Sequence, residues 1–286
     1  MSVARCPGSC GELIQGWILG SEKLISCPID WYSTVEVRDG APLPNERPLT
    51  RAMVEALLIH FGYSRAISAT LRIEVHSTLP IAKGMASSTA DIAATAVATA
   101  RYFDKTLSEQ ALAQLCVNLE PTDSTPFRQL TLFDHNQGHA QTAGLQQPQL
   151  DILVLESPHT LQTADYHRLD RHAALLTGAP QLEQAWQKTR QACETGCATL
   201  LGEAATLSAI ASQLILPKPG FQRVLDIVAR FSLYGVSIAH SGSVMGLMLD
   251  RTKHDVDAVM AELERDEGNV LWPLKYLLPM VEGGVR

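Results

Sequence analysis

The chain has 286 residues, 46% of them hydrophobic, enough to fill the core of one large or two ordinary domains. A formal net charge of −7 with no basic stripe argues against a nucleic-acid surface, so a phosphorylated ligand has to be met locally, by backbone dipoles and a metal ion. The N-terminus lacks a basic, then apolar leader, no apolar run reaches membrane-spanning length, and the six cysteines show neither a disulfide framework nor zinc-site spacing; this reads as a cytosolic protein with reduced thiols.

Residues 12–19 and 23–29 are apolar runs broken at Gly20-Ser21, a hairpin connection, and residues 33–37 alternate as a half-buried strand does. Residues 39–47, with Gly40, Pro42, Pro44 and Asn45, form a loop before a helix at about 49–61 and a strand at 69–76. Ser108 N-caps a helix whose face carries Leu112, Leu115, Cys116 and Leu119, and Pro121 sets its limit. Strands at 129–133 and 151–155 flank a polar, Gln-rich connection. Beyond Glu156 the chain is helix-compatible over 166–214 and again over 221–234. Two strands follow, 236–240 and 244–249, around Ser241-Gly242-Ser243, and a helix spans 254–264. The pattern predicts an α+β fold of two halves joined near 156–165, not a doubly wound parallel sheet. The nine histidines form no metal-binding pattern and are read as surface or packing residues.

Between the strand at 69–76 and the following alanines lies Pro80-Ile81-Ala82-Lys83-Gly84-Met85-Ala86-Ser87-Ser88-Thr89-Ala90. A helix start leaves backbone N–H groups unpaired at the positive end of its dipole, which favours an anion there. Gly84 and Ala86 keep the approach open, and three consecutive hydroxyls stand where capping needs one. The alternative is an ordinary capped, buried helix. The order is not that of a Walker A loop, which requires Gly-Lys-Ser/Thr.

Glu120-Pro121-Thr122-Asp123-Ser124 places two carboxylates around a helix end, the materials for a Mg²⁺ ligand and for a group facing an attacking hydroxyl. A solvated turn is the competing reading. His240-Ser241-Gly242-Ser243-Val244-Met245-Gly246 permits close backbone approach, to a ligand or simply to a neighbouring strand.

These three segments, in order after Cys6-Pro7-Gly8-Ser9-Cys10-Gly11-Glu12, resemble the GHMP kinase superfamily across nearly the whole chain. The central motif is the specific part of that resemblance. Within the superfamily, CPGSCGELIQG, CPIDWYSTV and PIAKGMASSTAD look like the L-threonine kinases of cobalamin synthesis. The resemblance implies an N-terminal domain like ribosomal protein S5 (1–158) and a C-terminal ferredoxin-like domain (159–286). It also implies ATP and Mg²⁺ as cofactors and a small-molecule acceptor, L-threonine. Residues 80–90 would wrap the ATP phosphates, Ser88 and Glu120 would hold Mg²⁺, and Asp123 would be the base or orienting group. Ser241 and Gly242 would lie beside the substrate. A zwitterionic acceptor would draw on Glu12 or Asp30 for its ammonium and Arg128 for its carboxylate. Ser9 replaces a lysine common in the family, which removes a cation near Asp123 and leaves positioning with Mg²⁺ as a second mechanism. Homoserine or another hydroxylated metabolite as acceptor, and a ligand-binding homologue without catalysis, are the competing functions.

Overall fold

β1 (Ser2–Ile18) and β2 (Ser21–Asp39) pair along nearly their full length as one antiparallel hairpin. Two left-handed residues, Leu19 (φ +48°) and Gly20 (φ +85°), make the connection, the backbone that matches the twist of a two-residue hairpin. The three short runs expected here are thus parts of two long strands. Length is accommodated by register shifts between Pro7 and Ser9, Ser9 and Glu12, and Glu12 and Ile14, irregularities that bend β1 and re-aim its side chains. The structure, a computed structural model, describes residues 1–160 and 168–286.

Seven more strands join the sheet: β3 (Leu71–Ser77), β4 (Leu130–Asp134), β5 (His139–Leu145), β6 (Asp151–Glu156), β7 (Gly235–Ile238), β8 (Met245–Leu249) and β9 (Leu274–Pro279). Their order is β5-β4-β2-β1-β7-β8-β6-β9, with β3 also on β2, and the pairings are antiparallel. β5 falls in the Gln-rich connection and β9 in a stretch with no strand pattern. Both are edge strands whose open side tolerates polar residues, so neither shows a clear apolar alternation. β6 pairs with β8 and β9, and β1 meets β7 at Glu12 and Ile238, so the ladder runs without interruption from the first half of the chain into the second.

Helices cover the sheet: α1 (Pro48–His60), α2 (Ser87–Tyr102), α3 (Glu109–Val117), α4 (His172–Thr195), α5 (Ala198–Ser212), α6 (Phe221–Arg230), α7 (Val256–Glu264) and the single turn α8 (Gly268–Leu271). The long helix-compatible stretch divides at Gly196, left-handed at φ +68°, into α4 and α5. Its first residues, and part of the expected 156–165 junction, lie outside the described residues. α1 and α2 pack on β1–β3 around Met53, Leu57, Val35 and Ile73. α4 and α5 bring Leu182, Trp186 and Leu201 against Leu13, Ile14 and Ile25. α6 and α7 bring Val224 and Val259 against Val236 and Leu247. In β6, Ile152 and Val154 face the second cluster while Leu153 and Leu155 face the third, so this strand is buried on both sides. Each such side chain, fully buried, stabilises the fold by roughly 1.5–3 kcal/mol relative to exposure.

After β9 the chain returns to the first half. Val281 N–H donates to the Pro28 carbonyl (3.1 Å) and Gly284 N–H to the Thr125 carbonyl (2.8 Å), and Arg286 and Arg5 exchange backbone bonds of 2.9 Å. All six cysteines are free, and no helix among the described residues is long and apolar enough to cross a membrane.

Candidate active site

α2 lies close on β1 and β2 because the side it turns to them is made of alanine: Ala90, Ala93, Ala94 and Ala96 are fully buried. Its buried Thr95 and Thr99 hydroxyls donate to the carbonyls of Asp91 and Thr95, both at 2.7 Å, so no polar atom is stranded at this contact. The helix begins at Ser87, and its N-cap is Ala86, left-handed at φ +54°, with no side-chain cap. Ser87, Ser88 and Thr89 therefore occupy the first helical turn and do not cap it. The N–H groups of that turn keep their capacity for an anion.

The loop before α2 is held by backbone bonds from two distant segments. Ser9 and Gly11 N–H donate to Met85 and Gly84 carbonyls (3.0 and 3.2 Å), and Ser243 and Val244 N–H both reach the Lys83 carbonyl (2.9 and 3.0 Å). Such approach needs missing side chains. A Cβ on Gly84, whose φ is +79°, would lie 2.2 Å from the Ala239 Cβ, and one on Gly242 would lie 2.3 Å from the Lys83 carbonyl oxygen. The three glycine-bearing motifs of the sequence are one interlocked structure.

They border a cleft of about 410 Å³. Of the residues singled out in the sequence, Ile81, Ala82, Gly84, Met85, Ala86, Ser87, Ser88, Thr89, Glu12, Glu120, Asp123 and Ser241 line it. Pro80 opens the loop, Ala90 is buried beneath it and Gly242 packs against its back. Lys83 belongs to the loop, yet its ammonium points away, donating to the carbonyls of Ser157 (2.6 Å) and His159 (2.9 Å). Asp30 and Arg128 are elsewhere. Asp30 is exposed on β2 outside the cleft. Arg128 follows buried Phe127, which anchors in the core and turns its successor outward; its side chain is 72% exposed and paired with Glu282 at 3.0 Å. Arg128 lines a separate, larger cavity of about 520 Å³ with Arg101, Lys105 and Arg286, which contains no part of the 80–90 loop. The expected charge partners for a zwitterion thus reduce to Glu12.

Asp123 sits between β2 and α2. Thr89 Oγ1 donates to one carboxylate oxygen (3.2 Å) and accepts from the Asp123 N–H (3.2 Å), while Ser26 Oγ donates to the other oxygen (3.4 Å). Burial first, then the Glu12 carboxylate, pushes the Asp123 pKa up to about 7; the Thr89 hydroxyl opposes this and Glu120 adds to it. Burial also raises Glu120, the adjacent Ser88 hydroxyl lowers it, and Asp91 raises it again. Asp91 itself is occupied by Arg47 and Ser33. Glu12 Oε2 accepts from the His240 N–H and ring Nδ1, both at 2.9 Å. The Lys218 ammonium donates to the carbonyls of Gly242 and His240, and burial lowers its pKa to about 8.

Ser26, Thr89 as partner of Asp123, His135 and Gln15 were not legible as members of this site, nor was Lys218 behind it or the bond of His240 to Glu12. His135 lines the cleft and His240 is buried behind it against Glu12, both in keeping with the reading of the histidines as surface or packing residues. The one available signal was position, because His240 directly precedes the small-residue turn.

The family model for the GHMP kinases N terminal domain matches residues 48–127, from α1 through α2 to Asp123. Over its whole length the chain is 62% identical to an L-threonine kinase of Citrobacter freundii, covering 99% of that protein. It is 58% identical, again over its whole length, to an L-threonine kinase of Salmonella typhimurium, covering 95% of it. Two solved structures at 14% identity share the fold. Mevalonate kinase of Methanococcus jannaschii superposes with a TM-score of 0.66 over 99% of this chain and 97% of that one. Mevalonate diphosphate decarboxylase of Enterococcus faecalis, in a structure concerned with its ATP binding, gives 0.71 over 100% and 98%.

Proposed function

This chain belongs to the GHMP kinase family, and from that membership we propose that it transfers the γ-phosphoryl group of ATP to the side-chain hydroxyl of L-threonine. The product is O-phospho-L-threonine, destined for the aminopropanol linker of cobalamin, and the enzyme works in the cytosol. The observation that carries the chemistry is the convergence on one cleft of an uncapped helix start, the Ser88–Glu120 pair and Asp123. Identity to two L-threonine kinases supports the acceptor.

The first turn of α2 and the backbone of residues 80–86 would hold the ATP phosphates, and the aligned N–H groups there would offset their charge without a lysine. Ser88 and Glu120 fit a Mg²⁺ ion: a hydroxyl and a carboxylate side by side are hard oxygen donors, and phosphate oxygens and water complete such a shell. No group of three or more His, Cys, Asp or Glu side chains among the described residues is arranged to hold a metal unaided. When bound, Mg²⁺ supplies charge neutralisation on the phosphates. Asp123 faces the acceptor. With a pKa near neutrality it accepts the hydroxyl proton as the oxygen attacks phosphorus, while Thr89 and Ser26 fix its orientation. Glu12, braced by His240, takes the substrate ammonium.

Incubation of the protein with MgATP and L-threonine should give ADP and O-phosphothreonine in equal amounts, detectable by ³¹P NMR. Absence of the phosphoamino acid, or faster turnover with homoserine, sinks the assignment.

A further inference from the structure

The cavity of about 520 Å³ that holds Arg128 opens where residues 283–286 lie back on the first half of the chain. Its volume is in the range of small-molecule sites. α2 reaches from the cleft to this cavity: Ser87, Ser88 and Thr89 border the one, and Val97, Ala100 and Arg101 the other. The returning segment closes against backbone. A Cβ on Gly283 would lie 2.2 Å from the Phe127 carbonyl oxygen, so only glycine lets the chain approach this closely.

In a chain of 30 acidic and 23 basic residues the charge of this lining is inverted, with Arg101, Lys105, Arg128 and Arg286 against Glu109 alone. That carboxylate accepts the Arg128 main-chain N–H at 3.0 Å. The cations keep donors free. Arg128 gives Nε to Glu282 (3.0 Å) and Arg101 gives one terminal nitrogen to the Val3 carbonyl (2.7 Å), which leaves two guanidinium nitrogens of each without an acceptor. The Lys105 ammonium has no partner among the described residues. Arg286 is held by the Tyr32 hydroxyl and the Glu282 carbonyl (2.5 and 2.8 Å).

The rest of the lining is largely apolar. Val97, Leu107 and Val285 pack on the core around α1 and α2 yet stay half-buried, beside buried Leu112. All four cations are exposed, so the charge stands at the mouth and the apolar surface within. An inorganic ion would leave that surface wet, and an uncharged apolar molecule would leave the donors unmet. An organic anion satisfies both. Three guanidiniums and an ammonium offer more N–H groups than the two oxygens of a carboxylate accept, whereas a phosphomonoester brings three oxygens and close to two charges.

We propose that this cavity is a second ligand site, for a small organic phosphate, separate from the catalytic cleft and independent of which acceptor the cleft takes.

The test uses the full chain with its cleft filled by Mg²⁺, L-threonine and a non-hydrolysable ATP analogue, at low salt, with binding followed by ligand-observed NMR. Phenyl phosphate should bind saturably with a Kd of about 1 mM or tighter. Inorganic phosphate, which lacks the body, and phenol, which lacks the charge, should bind at least about tenfold more weakly. The double variant Lys105→Ala, Arg128→Ala should bind phenyl phosphate at least about tenfold more weakly than wild type. Both side chains are exposed, so its melting temperature should stay within a few degrees of wild type and the loss reports on the site. Ser88→Ala, a change in the cleft, should leave phenyl phosphate binding within about twofold. No saturable binding by wild type, inorganic phosphate binding as tightly as phenyl phosphate, or undiminished binding in the double variant overturns the proposal. Binding lost in Ser88→Ala but kept in the double variant puts the phosphate in the cleft and overturns it as well.

Discussion

Asp123→Asn should stabilise the unliganded protein above neutral pH while removing most of its activity. Folding moves this carboxyl from its ordinary 3.8 to about 7 by burial and by Glu12. At ~1.4 kcal/mol per unit, keeping it ionised costs the fold up to about 4 kcal/mol. Because the folded pKa is the higher one, the folded state holds the proton more tightly. The cost therefore appears as pH rises from about 4 to about 7 and is complete above that. Asparagine carries no charge, but it gives up one of the two hydrogen bonds that the oxygens accept from Thr89 and Ser26, a loss of about 1 kcal/mol. The net expectation is a variant more stable by ~2–3 kcal/mol at pH 8 and no more stable than wild type near pH 4. Urea unfolding at several pH values reads this directly. A variant no more stable than wild type at pH 8, or a difference that does not change with pH, refutes the reasoning. In the same variant kcat should fall by about 10²-fold or more if the carboxylate takes the proton; near-normal kcat reduces it to an orienting group.

Ser88→Ala and Glu120→Gln should each raise the Mg²⁺ concentration for half-maximal rate on the order of 10- to 100-fold, and a Mg²⁺ titration with unchanged half-saturation removes them as ligands. Gly84→Ala should destabilise the protein by ~1–3 kcal/mol and weaken ATP binding, since its Cβ would overlap Ala239; thermal melts and nucleotide titration measure the two effects. Arg128→Ala should leave KM for L-threonine within about twofold, because it breaks only an exposed ion pair outside the cleft; a large rise in KM would return Arg128 to the site.

The parts of the site written in backbone requirements were readable before any coordinates. Gly84 and Gly242 stand where two loops touch at less than side-chain distance, and a glycine is the one residue whose presence announces that need. The unbroken apolar run that announces β6 and the helical spacing that announces α6 reflect burial, which is also local. Charges carry no such mark. Asp30 and Glu12 sit on neighbouring strands and look alike in sequence, but one is exposed and the other is clamped by a histidine more than two hundred positions away. Gln15 reaches the cleft through an irregular ladder register, which no periodicity encodes. β5 and β9 were hidden for a related reason: an edge strand has one neighbour, and half its side chains answer to solvent.

The seven residues after β9 brace the backbone at Pro28, Thr125 and Arg5, and Thr125 is two positions from Asp123. In order of synthesis, the segment bearing Asp123 leaves the ribosome long before the strand that buttresses it. A nascent chain can build α2 and the 80–90 loop early, but the backbone beside Asp123 waits for residues 281–286 to be made.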